Sequence, residues 1–247
     1  MTNDGTKRTD DVAGPATHPE ARTEARAEDA TAEMAVADGE HPSDLDGVEA
    51  DLAGPAEDTA LAGQADAPQD VAELSAACIR FVAMRYGIHL DFLPETLSVL
   101  DQWVRDARDE LRERPEALNL VQASAGAYLG EVVRRAFGAY WITEGDHRGW
   151  RLAMATVFCA YNPVGMVREA LMLSEAEGWH AHFALDPGEK EVILARLEAL
   201  PEVSEDEFYA PSTRFDVVHL VVDALRERMR ASGLGDVRFT VEDYAGI

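Results

Sequence analysis

The sequence predicts an α+β fold: about six helices packed with a small, mostly antiparallel sheet, preceded by a disordered acidic tail. Three observations predict it. Segments with apolar residues at helical spacing alternate with short segments of period two. All 18 aromatic residues lie between Phe81 and Tyr244. Residues 1–70, by contrast, carry 18 Asp and Glu against 4 Lys and Arg, and no aromatic. A segment of that composition buries too little apolar surface to offset chain entropy, so residues 1–70 are expected to be disordered. Residues 71–247 suffice for a single core, since a chain of that size buries roughly 70% of its unfolded surface.

Within the tail, Thr23–Val36 has good helix formers but no broad apolar face, which predicts at most transient helix. Leu45, Val48 and Leu52 fall at i, i+3, i+7, the spacing of a docking helix; the plainer reading is a solvated linker. The domain is expected to open with Asp70 and Glu73 as a capping box, ahead of a helix with Leu74, Cys78, Phe81 and Val82 inward and Gly87 at its end. Ile88–Phe92 alternates and reads as a strand. Pro94 starts a second helix striped by Leu97, Leu100, Val104 and Ala107. Pro115 restarts the chain into Glu116–Phe137, striped by Leu118, Val121, Ala125, Leu129, Val132 and Ala136, with Gly138 as its cap. Gly126 and Gly130 share one face of that helix. Each costs roughly 1 kcal/mol against Ala, which points to close approach of another backbone.

Ala139–Thr143 and Trp150–Tyr161 read as a hairpin about the turn EGDHRG, with Trp150, Leu152, Met154 and Phe158 on one side. Asn162–Pro163 is an N-cap and N1 pair for a helix with Val164, Val167 and Leu171 inward, stopped by Gly178. Asp186 and Glu189, with Pro187 between them, form a capping box for a helix to Leu200. Thr213 with Asp216 begins the last long helix, where Phe215, Val218, Val222, Leu225 and Met229 recur until Gly233. Val237–Glu242 reads as a final strand.

The net charge of −25 repels phosphate backbones and anionic lipid, which argues against nucleic-acid and membrane binding and favours basic partners. Cys78 and Cys159 make no disulfide framework and read as core residues of a reducing cytosol. The N-terminus has no signal-like apolar stretch, and no apolar run approaches the roughly 20 residues that span a bilayer. The expectation is a cytoplasmic protein of undetermined oligomeric state.

The runs GIHLDFLPETLSVLDQW, GAYLGEVVRRAFGAYW and YNPVGMVREAL resemble an uncharacterised bacterial α+β domain family. In it a Leu-Asp-aromatic segment precedes a helix, a Gly-x-Tyr-Leu-Gly-Glu helix ends near an aromatic strand, and an Asn-Pro turn opens the next helix. The resemblance spans roughly residues 80–175. It implies the same fold class and a bacterial cytosolic context, and it implies no activity.

Nucleophile elbows, phosphate-cradling glycine motifs and dinucleotide fingerprints are all missing from the sequence, so no catalytic residue and no cofactor is assigned. His180 and His182 have a metal-like spacing if they lie on a strand, but a zinc site needs three or four ligands and no third is fixed by spacing. An exposed polar face opposite Trp179 and Phe183 accounts for them more simply. Glu131 with Arg134 and Arg135 lies at i, i+3 and i, i+4, the pattern of a surface ion pair. Joined to Asp91, His89 and Tyr128, these residues outline a candidate binding pocket. Trp141, Trp150 and Tyr140 offer stacking surfaces, though strand aromatics more often pair across the sheet. His147 and Arg148 read as exposed turn residues, and the EVSEDE run at 202–207 as a solvated loop. The favoured function is a non-enzymatic protein-interaction or regulatory domain with another protein as partner. The alternatives are a small hydrolase or ligand-binding enzyme using Asp91, Glu131 and Arg135, and an immunity- or antitoxin-like neutralising protein.

Overall fold

A computed structural model describes residues 66–246. The two tail segments singled out above, Thr23–Val36 and the Leu45–Leu52 stripe, lie outside the described residues. Helix α1 (Gln69–Tyr86) begins after Pro68 without a side-chain cap. The expected capping box is not made, because Glu73 accepts instead from Gln69 Nε2 at 2.8 Å. Gly87 ends the helix at φ 70°, the left-handed conformation that suits glycine.

Ile88–Phe92 is not a strand. Asp91 Oδ1 accepts from Leu93 N at 3.0 Å and from the Thr96 hydroxyl at 3.2 Å, and Phe92 sits at φ 66°. This local turn overrides the alternating pattern. A 3-10 turn at Pro94–Thr96 leads into α2 (Leu97–Glu113), and a second at Pro115–Ala117 leads into α3 (Leu118–Phe137).

Helix α3 is the centre of the molecule, buried without a break from Gln122 to Val133. It packs against α1 and against α4 (Pro163–Met172). Gly126 permits the close α3–α4 approach: a Cβ there would sit 2.4 Å from Val164 Cα. Gly130 serves a side chain rather than a backbone, since its missing Cβ leaves room for the Trp141 indole, 2.2 Å away.

Four strands follow in a simple meander, β1 (Ala139–Ile142), β2 (Arg151–Met154), β3 (Cys159–Tyr161) and β4 (Ala184–Leu185), each antiparallel to its neighbour. The expected strand over Trp150–Tyr161 is therefore two strands around a turn at residues 155–158. Trp141, Leu152, Met154, Cys159 and Tyr161 enter the main core. Phe158 does not join them. It stacks on Tyr244 at 4.9 Å and meets Phe239, in a small second core with Ala153 and Ala160.

The segment expected to be a last strand covers that second core instead. Phe239 N donates to Ala155 O at 2.9 Å, and a 3-10 turn at Val241–Tyr244 is held by a Thr240–Asp243 capping box. The Tyr244 hydroxyl accepts from Cys159 N and lies 2.7 Å from Met154 O.

Helix α4 starts at the expected Asn162 cap, whose Oδ1 accepts from Val164 N. It stops at Met172, where Leu173 takes φ 50°, well before Gly178. Helix α5 (Pro187–Glu198) is capped by Asp186, while Glu189 leaves the predicted box to pair with Arg228. The acidic 202–207 run is not all loop: Ser204 caps the short α6 (Glu205–Tyr209). Helix α7 (Pro211–Ala231) starts before Thr213, with Asp101 of α2 accepting from Ser212 N at 2.9 Å. The described residues thus hold seven α-helices and one antiparallel sheet, and no described helix is long and apolar enough to cross a membrane.

Candidate functional site

Of the residues grouped from the sequence, Tyr128, Glu131, Arg134, Arg135 and Trp141 line a seam between α3, β1 and the loop before α2, while His89 is exposed and takes no part in the contacts described below. Glu131 is 2% exposed. Its Oε1 accepts from Arg134 Nε at 2.8 Å and from Trp141 Nε1 at 2.9 Å, and its Oε2 accepts from Arg134 Nη2 at 3.0 Å. Arg135 Nε stands 3.6 Å from Oε2 while its guanidinium lies 3.8 Å from the Phe92 ring centre. Phe92 stacks on Tyr128, whose hydroxyl accepts from Phe92 N at 2.9 Å and meets the Thr96 hydroxyl at 3.0 Å. Burial pushes the Tyr128 phenol pKa up. Asp91 joins only through Thr96. The bonds from Trp141 to Glu131 and from Phe92 to Tyr128 fix β1 and the loop against α3.

His180 and His182 do not share a strand face. His180 sits at φ 52° near Arg151, and burial, then that charge, push its imidazole pKa down. His182 Nε2 lies 3.4 Å from Glu169 Oε1. Among the described residues no group of three or more His, Cys, Asp or Glu is placed to hold a metal ion.

A cleft of about 260 Å³ opens elsewhere, between the β1–β2 turn, α4 and the loop that follows α4. Asn162 brings these three pieces together. It is fully buried, and besides capping α4 it donates from Nδ2 to His147 O at 2.8 Å and to Arg148 O at 3.3 Å. Its backbone N–H donates to His180 O at 2.8 Å. Gly165, one turn into α4, lets the loop close in: a Cβ there would lie 2.7 Å from Trp179 O. Glu169, 1% exposed, anchors the loop by accepting from Ala176 N at 3.2 Å and from Arg214 Nη2 at 3.0 Å.

The wall of this cleft is cationic and aromatic. The Arg148 and Arg168 guanidiniums lie 5.4 Å and 4.9 Å from the Trp179 ring centre. Arg168 donates to Gln122 Oε1 at 2.9 Å. Behind the turn Arg151 is buried, donating to the carbonyls of Arg148 and Trp150, and burial pushes its pKa down. Glu175 and Glu177 also line the cleft. Among the described residues no carboxylate lies within ion-pair distance of Arg148, Arg151 or Arg168, whereas ten other arginines are so paired.

Sequence reading missed this site. It placed Arg148 in an exposed turn, saw Asn162 only as a cap, took Trp179 as a core-face residue, and gave Arg168 no role. The Asn-Pro pair was the one local signal, and it could not disclose the two side-chain bonds to the distant turn.

Residues 47–154 match the Family of unknown function (DUF6278), less than half of the chain. The matched stretch includes α1 to β2 and Arg148, and ends before α4 and Trp179. No curated protein matches this chain, and no solved structure does.

Proposed function

We propose that the domain is a non-enzymatic recognition module that docks an acidic segment of another protein on the Arg148–Trp179–Arg168 cleft. One observation carries this reading: two guanidiniums flank one indole without a carboxylate partner among the described residues, in a chain with 47 acidic residues against 22 basic ones. Arginine presents a planar fork that matches a carboxylate, and it desolvates more readily than lysine. Arginine and tryptophan are also the side chains that most often carry the energy of protein interfaces. The overall negative charge suppresses encounter with anionic partners except at such a local patch, which favours selectivity over affinity.

The test is photo-crosslinking in producing cells from a benzophenone side chain at Ser174, on the rim of the cleft. A discrete protein adduct that disappears in Arg148→Glu/Arg168→Glu supports docking there. No adduct, or one insensitive to those charge reversals, sinks the proposal.

A further inference from the structure

A second cleft, of about 100 Å³, lies between the β2–β3 turn, the C-terminal end of α7 and the segment after it. Arg226, Arg230 and Arg238 line it together with Thr156, Met229 and Gly235, and no carboxylate among the described residues does. Two of the arginines have limited engagement. Arg230 has no ion pair or hydrogen bond to another side chain among the described residues, and Arg238 donates from Nη1 to the carbonyls of Gly235 and Val237. Arg226 donates from Nε and Nη2 to Thr156 Oγ1 at 3.2 and 3.0 Å, and from Nη2 to Phe137 O at 3.1 Å. Asp223 stands 3.8 Å from its Nη1.

The helix dipole accounts for basic residues in the last turn of α7. It does not account for Arg238, which another segment delivers, or for Thr156, which comes from the sheet. Two segments thus converge charges of one sign, and a third adds a hydroxyl. The Thr156 oxygen already accepts two N–H groups from Arg226, so its own proton remains to be donated. Gly235 shapes the approach, since a Cβ there would lie 3.2 Å from Arg230 Cγ. Burial pushes the Arg226 pKa down, and the charges of Arg230 and Arg238 add to that against the opposing pull of Asp223.

We infer that this cleft is a binding site for a small tetrahedral oxyanion of the phosphate class. At roughly 30 Å³ of liquid volume per water molecule, the space equals about three waters. That suits inorganic phosphate and is well below the several hundred Å³ of a nucleotide-sized pocket. Guanidinium forks from Arg230 and Arg238 would take two edges of the anion, and the Thr156 hydroxyl would donate to a third oxygen. Bound there, the anion ties the end of α7 to the segment that covers the second core. The site is separate from the Arg148–Trp179–Arg168 cleft and does not depend on the function proposed for it.

The experiment is isothermal titration of the full chain with inorganic phosphate, in chloride buffer at constant ionic strength. The expected result is saturable one-to-one binding, weakened about tenfold or more by Arg230→Gln and by Arg238→Gln, which is what losing a charged hydrogen-bonding partner removes. Both side chains are exposed, and unchanged unfolding midpoints in chloride establish that the variants fold. Arg148→Gln/Arg168→Gln leaves phosphate affinity as it was. Absence of saturable binding, binding indifferent to Arg230 and Arg238, or loss of binding in the Arg148/Arg168 variant overturns the inference.

Discussion

Gly126→Ala sets two effects of opposite sign against each other. In a helix interior alanine is favoured over glycine by about 1 kcal/mol, so propensity alone predicts stabilisation. The structure predicts the reverse. The new methyl would lie 2.4 Å from Val164 Cα, 2.8 Å from Val164 N and 2.9 Å from Val164 Cγ2. Carbon atoms in ordinary contact stand about 3.5–4.0 Å apart, so α4 must retreat by about 1 Å. Its first turn resists, because Asn162 ties it to the β1–β2 turn and to His180 O. Overpacking of this kind costs about 1–3 kcal/mol, and contact with backbone rather than a rotatable side chain places it at the upper end. Subtracting the propensity gain leaves a net loss of about 1–2 kcal/mol. Urea unfolding measures it: with a slope near 3 kcal/mol/M, the midpoint falls by about 0.5 M at unchanged slope. A midpoint that rises would refute the claim that the α3–α4 seam is closed by backbone contact.

Three further outcomes follow from buried groups. Trp141→Phe keeps the ring but removes the donor to Glu131, and lowers stability by about 1.5–3 kcal/mol in the same urea assay; no change would mean the indole bond is idle. Glu169→Ala strands Arg214 in the interior and loses about 3–5 kcal/mol, and the double variant Glu169→Ala/Arg214→Leu recovers part of that loss if the stranded charge is the cause. Burial pushes the Cys159 thiol from its ordinary 9.0 up to about 12, and pushes Cys78 and Tyr161 up as well. The native state therefore keeps these protons while the unfolded chain gives up the thiol protons above about pH 9, so stability holds below that pH and falls as pH rises from 9 toward 12. Urea midpoints at pH 8 and pH 10 measure it, and equal midpoints would contradict it.

Much of the helical architecture was legible because its signals are local. Pro94, Pro115, Asn162–Pro163 and Asp186–Pro187 each open a helix or its first turn where their chemistry dictates. The two glycines of α3 announced close packing, though only Gly126 meets backbone. What was illegible is what depends on distant partners. The 88–92 alternation lost to an Asx turn and to a left-handed Phe92, and the Val237–Glu242 pattern lost to a capped turn laid over Phe158. Of the predicted Asp91–Glu131–Arg135 grouping, Glu131 bonds Arg134 and Trp141, while Asp91 bonds Leu93 N and Thr96 instead. The arginine–tryptophan cleft draws on residues 148, 162, 168 and 179, which share no spacing rule, so only the folded chain brings them together.

The claim that the Arg148–Trp179–Arg168 cleft receives acidic segments is tested most directly by NMR of the full chain, labelled at arginine and tryptophan, titrated with a glutamate-rich peptide at physiological salt. Docking there gives saturable shifts of the Arg148 and Arg168 Nε–H and Trp179 indole signals, lost in Arg148→Gln/Arg168→Gln. Shifts confined to Arg226, Arg230 and Arg238, or none at any of these groups, would contradict it.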